Sequence, residues 1–123
     1  MTFARLTSIA QQVVGAAQRR LPAGVREAAA TVPVCYEDHP TEDIIDDEID
    51  EDILGLFVGH EHGAELAETQ PLPPQILLFL DNIWDQAEGN ESAYRDEVRL
   101  TYLHELGHYL GWDEDEVARR GLE

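Results

Sequence analysis

The chain has 123 residues, 43% of them apolar, which predicts one globular domain spanning residues 1–123 and leaves little room for a second core. Its 26 acidic residues against eight basic ones, all Arg, give a formal charge of −18, which disfavours nucleic acid and anionic membranes as partners. Cys35 is the only cysteine, so an internal disulfide and a Cys-rich zinc site are excluded. The sequence shows neither a leader pattern nor a long apolar segment, so we expect a cytoplasmic protein.

The first 36 residues predict a helix followed by a strand. Over residues 3–21, apolar side chains recur at every third or fourth position, which places them on one helical face suited to core packing. Pro22 and Gly24 then mark the end of this helical region. Residues 31–36 (TVPVCY) are rich in β-branched side chains and predict a strand. Pro33 has no amide to donate, which indicates an edge strand or a bulge.

An acidic segment follows, because residues 37–52 hold ten of the 26 acids. Ile45, Ile49 and Ile53 recur every four residues after Thr41, a pattern that predicts a short amphipathic helix with an acidic, solvated face. A flexible acidic insertion is the alternative. An EF-hand calcium loop is disfavoured because its glycine is absent. We assign no function to this segment.

The second half of the chain predicts two strands and a long helix. Residues 54–59 (LGLFVG) form the next predicted strand, and residues 60–75 form a Gly- and Pro-bearing connection. Residues 76–80 (ILLFL) do not alternate in polarity, so we expect a strand covered on both faces. A long helix is predicted from about residue 92 to 110, followed by a short one. This order of elements indicates an α+β fold with a small sheet.

A metal-binding motif lies within the second long helix, in the sequence HELGH. His104 and His108 are four residues apart, so they differ by about 40° around a helix and point the same way. Glu105 lies about 100° away from His104, beside the two imidazoles, where it can contact a water bound to the metal. This H-E-x-x-H arrangement is typical of zinc ligation combined with a Glu general base.

A third ligand is expected just after this helix, because a catalytic zinc takes three protein ligands and one water. Gly111 suits a left-handed position that ends the helix and turns the chain back toward the metal. The acids that follow are Asp113, Glu114 and Asp115. The alternative is that these acids only favour the start of a short helix, with Asp113 and Glu116 as its capping box, and that the His pair is a surface feature without metal.

These residues resemble a known family. The segment HELGHYLGWDEDE is similar to the signature of the minimal zincins, which are small bacterial zincin-like metallopeptidases. The segments VPVCYEDHP, ILGLFVG and LPPQILLFLDNI are similar to that family's strands, so the resemblance covers about residues 31–120 in the family's order. It implies a small mixed sheet packed with helices and a metal site on the last long helix.

The resemblance also implies a role for individual residues. His104 and His108 would bind one zinc ion and Glu105 would act as general base. The third ligand would be Glu114, ten residues after the first His, where the family usually has Asp; Asp113 and Asp115 are the substitutes. The implied function is a zinc metallopeptidase acting on peptide or protein substrates.

Two other functions stay open. One is a metal-binding regulatory or protein-interaction module with little or no turnover, and the other is a metal-free helical scaffold. The residue that would stabilise the oxyanion is not evident from the sequence, and the candidates are Tyr109, Arg95 and the loop carrying His60 and His62. We interpret the loop that carries His60 and His62 as an exposed polar loop; the alternative is a substrate-side or secondary metal contact near the cleft.

Overall fold

The computed structural model describes residues 1–45, 49–59, 73–112 and 114–119. These residues form five helices and three strands, which confirms the α+β class. In chain order the elements are α1 (Phe3–Arg19), α2 (Ala23–Ala29), β1 (Val34–Glu37), β2 (Gly55–Val58), β3 (Gln75–Phe79), α3 (Leu80–Gln86), α4 (Glu91–Tyr109) and α5 (Glu114–Arg119). Every helix in the described ranges is too short or too polar to span a bilayer.

The three strands form one mixed sheet in the order β1-β3-β2. β3 runs parallel to β1, with Val34 opposite Ile76, and antiparallel to β2, with Gly55 opposite Leu78. Among the described residues β1 is therefore an edge strand, as Pro33 indicated. The carbonyl of Pro33 accepts a hydrogen bond from the Ile76 amide at 2.9 Å. The central strand is buried on both faces, as its unbroken apolar run predicted: residues 76–79 are at most 8% exposed.

The core lies between one face of the sheet and the two long helices. Leu6, Ile9, Val14 and their neighbours on α1 are buried in one cluster with the side of α4 that carries Tyr94 and Tyr102. Two hydrogen bonds join the helices: the Tyr94 hydroxyl donates to the carbonyl of Leu6 at 2.9 Å, and Gln18 Nε2 donates to the Tyr102 hydroxyl at 3.1 Å. One face of α4 is thereby fixed in the core, which leaves its other side for a functional site.

Two short helices were not predicted. Residues 23–29 (AGVREAA) form α2, because Pro22 is suited to a helix start and good helix formers outweigh the single Gly24. α3 begins at Leu80, directly after the last residue of β3, so the run ILLFL contains both the end of a strand and the start of a helix. A short apolar run cannot distinguish these two states by its periodicity.

The acidic segment is not helical in its described residues. The amides of Ile44 and Ile45 both bond to the carbonyl of Thr41, which closes one turn, and residues 49–53 form bends and turns. Residues 46–48 lie outside the described ranges. The Asn82 side chain of α3 donates to the carbonyls of Glu51 and Ile53, both at 2.9 Å. These bonds hold the end of the segment against α3 in a non-helical path, and repulsion among its acids opposes a helix as well.

Candidate metal centre

The helix that carries the motif has defined ends. The Asn90 side chain accepts a hydrogen bond from the Ala93 amide at 2.9 Å and caps its start. Its end is a Schellman motif: the Gly111 amide bonds to the His108 carbonyl at 3.0 Å, and the Trp112 amide bonds to the Gly107 carbonyl at 2.9 Å. Gly111 has a φ of 76°, the left-handed conformation that the sequence predicted. The chain therefore reverses immediately after the second histidine.

The two histidines of α4 lie together on one side of the helix. Their Nε2 atoms are 3.1 Å apart, and their rings are nearly perpendicular, at 89°, with centroids 4.6 Å apart. Two nitrogens bound to one tetrahedral zinc at 2.0–2.1 Å would be about 3.3 Å apart. Without metal, one Nε2–H can donate to the other nitrogen at this distance. The donor atoms of His104, Glu105 and His108 all lie within 4.8 Å of one another, so this group fits a metal ion.

Glu105 lies beside the histidine pair and is only 8% exposed. Burial raises the pKa of its carboxyl, while nearby His104 and His108 and a hydrogen bond with the Phe57 backbone act in the opposite direction. Phe57 belongs to β2, so a residue of the sheet orients a carboxylate of the helix. A raised pKa makes the carboxylate a stronger base, which suits proton transfer near neutral pH.

An open groove of about 970 Å³ lies between β2 and α4 and includes the three motif residues. Among the residues that the structure describes, its other walls are uncharged: they comprise Ile53, Leu54, Gly55, Leu56, Phe57 and Gly59 on one side and Leu100 and Thr101 on the other. Leu100 is 40% exposed in this groove, one helical turn before His104. The groove therefore places apolar surface next to the histidine pair and is large enough for part of a peptide.

The predicted third ligands are placed only in part. Glu114 is the first residue of α5, and the structure describes its backbone but not its side chain. Asp113 is not among the described residues. Asp115 is exposed on α5 and does not join the donor group formed by the motif residues among the described side chains. Glu114 therefore stays the predicted third ligand.

The two described candidates for an oxyanion donor are engaged elsewhere. Tyr109 is buried, its hydroxyl shares a hydrogen bond with Thr31, and its ring packs at 5.6 Å from that of Phe57. Arg95 pairs with Glu91 one turn before it on α4. It also precedes His104 by nine residues, about 13 Å along the helix axis. His60 and His62 lie outside the described residues.

The residues of β2 in this site were not predicted from the sequence. The signal was the glycine within LGLFVG, since glycine inside a strand often marks the close approach of another element. A second donor group, Asp38, His39 and Asp81, lies where β1 and β3 end, with all three residues exposed. None of these three residues lines the groove.

Comparison with known proteins identifies one family. A family model described as a zincin-like metallopeptidase matches residues 29–122. The match covers the sheet, α3, α4 and α5 and includes the histidine pair, while α1 precedes it. No curated protein matches the chain.

Proposed function

Because the chain belongs to the zincin-like metallopeptidase family, we propose that it is a zinc-dependent peptidase whose general base is Glu105. One observation carries the proposal: the paired imidazoles of α4 and a buried carboxylate meet at the wall of an open groove. His104 and His108 would hold one zinc ion, with Glu114 as the third ligand. The single domain over residues 1–123 is part of the same proposal.

The chain's own residues supply the proton transfers. A bound zinc ion lowers the pKa of water to about 7 and polarises a carbonyl group. The Glu105 carboxylate accepts the proton released as water attacks the peptide carbonyl carbon. It then returns that proton to the leaving nitrogen when the C–N bond breaks. The Phe57 backbone orients this carboxylate throughout, and the apolar groove accepts the substrate.

The groove also defines how a peptide could approach. β2 is the last strand of the described sheet: one of its edges pairs with β3, and the other has no strand beside it in the described residues. This free edge faces the groove. An extended peptide placed there would run beside β2 with a carbonyl near the histidine pair. We therefore propose extended peptides or unstructured protein segments as the substrate class.

A peptide-library digest tests the proposal. Purified protein loaded with one equivalent of zinc is incubated with a diverse peptide mixture, and new termini are identified by mass spectrometry. We expect cleavage by the zinc-loaded protein, none after chelation, and recovery when zinc is returned. Tight zinc binding without any cleavage would contradict the peptidase and support the metal-binding module instead.

A further inference from the structure

We propose that Gly55 is a positioning residue for Glu105, a role that rests on the proposed function. Because Gly55 has no side chain, β2 can approach α4 closely enough for the backbone of Phe57 to reach the Glu105 carboxylate. In this role Gly55 acts through Glu105 and takes no part in the chemical step itself.

The space around Gly55 supports the proposal. A Cβ atom at this position would lie 2.6 Å from Thr101 Cγ2, 3.3 Å from Glu105 Cγ and 3.2 Å from the carbonyl oxygen of Leu77. Carbon atoms in favourable contact are about 3.5–4.0 Å apart, so the closest of these distances is a severe clash. Thr101 and Glu105 are four residues apart on α4 and share one face. Gly55 therefore packs directly against the turn of the helix that presents the proposed base.

The reason for glycine here is space. The φ angle of Gly55 is outside the left-handed range, whereas that of Gly59 is 109°. An alanine could thus adopt the backbone conformation of Gly55 but could not fit against Thr101. The only way to accommodate it is to move β2, α4 or the Thr101 side chain.

Such a shift would be transmitted to the base. Gly55 and Phe57 are two residues apart in one strand, so they face the same side of the sheet. Displacement of β2 at Gly55 would therefore move the Phe57 backbone away from Glu105. It would also disturb the ring contact between Phe57 and Tyr109. The three atoms nearest to a Cβ at Gly55 belong to Thr101, Leu77 and Glu105 and not to either histidine, so we expect zinc binding to be preserved.

The test uses Gly55→Ala in the full chain loaded with zinc. We expect kcat to fall roughly 10- to 100-fold, because a small displacement of a catalytic group has an effect of this size, with little change in KM or zinc affinity. Hydrogen exchange of the Phe57 amide should become roughly three- to tenfold faster as its hydrogen bond is lost. This exchange readout does not require peptidase activity, so it tests Gly55 even if the proposed function fails.

Two further variants make the test specific. Thr101→Ser removes only the methyl group that lies 2.6 Å from the added Cβ, so Gly55→Ala/Thr101→Ser should recover most of the lost kcat and amide protection. Gly24→Ala is the matched control: no atom lies within 4 Å of its Cβ position, and we expect no change. Unchanged kcat and amide exchange in Gly55→Ala would overturn the proposal. So would parallel loss of zinc binding, or a double variant no better than Gly55→Ala.

Discussion

Replacing Glu105 by Gln is expected to lower kcat by roughly 10²- to 10⁴-fold, the usual contribution of a general base, while one zinc ion stays bound. Gln has nearly the same shape as Glu, and its carbonyl oxygen can still accept a hydrogen bond from the Phe57 backbone. It cannot accept a proton from water. The loss should therefore appear in kcat, with zinc content measured on the same sample by elemental analysis.

Asp96→Asn is the matched control for this substitution. Asp96 is an exposed carboxylate on the same helix, outside the groove, so its neutralisation changes the charge equally without touching the site. We expect its activity to equal that of the parent protein. Full activity in zinc-loaded Glu105→Gln would show that another group is the base and would refute the mechanism.

The second large effect is expected from the histidine pair. His104→Ala or His108→Ala removes one of three proposed protein ligands, and we expect zinc affinity to fall by more than roughly 100-fold, since even indirect partners of a metal site contribute 10- to 100-fold. Peptidase activity should fall with it. Competition with a chromophoric chelator measures the affinity, and thermal unfolding checks that each variant is folded.

His39→Ala is the control for this pair, because His39 belongs to the other described group of potential metal ligands, with Asp38 and Asp81. All three residues of that group are exposed, and none of them lines the groove that contains the histidine pair. We expect His39→Ala to bind zinc as the parent does. Zinc loss in His39→Ala, with retention in His104→Ala, would place the metal at the exposed group and contradict this mechanism.

The part of the site that lies on one helix could be predicted from the sequence. Helical spacing alone places His104 and His108 one turn apart with Glu105 beside them, and Gly111 marks where the helix ends. The structure has the rings adjacent and Gly111 in the left-handed conformation. Local geometry was sufficient because these residues are close together in the chain.

The contribution of β2 could not be predicted in the same way. The contacts of Gly55 with Thr101 and of Phe57 with Glu105 join residues far apart in the sequence, so they depend on how the sheet packs against α4. The hydrogen bond of the Tyr109 hydroxyl could not be predicted for the same reason. Nothing in the sequence around Tyr109 shows that its hydroxyl would meet Thr31 from the other end of the chain.

The first helix contributes to the core that carries the site, although it precedes the region that matches the family. α1 precedes the region that matches the family, yet Leu6, Ile9 and Val14 are almost completely buried in the same core as Tyr94 and Tyr102 of α4. The amphipathic pattern predicted a buried face but not its partner. α1 packs against the side of α4 that carries Tyr94 and Tyr102, and so it helps to hold the helix that carries the histidines in place.

Locating zinc in crystals of the zinc-loaded protein, by anomalous scattering at the zinc edge, tests the central claim most directly. We predict one ion about 2.0–2.1 Å from Nε2 of both His104 and His108, with Glu114 as the third protein ligand and water in the fourth position. Zinc bound instead at Asp38, His39 and Asp81, or held at the histidine pair by four protein ligands with no water, would contradict the account.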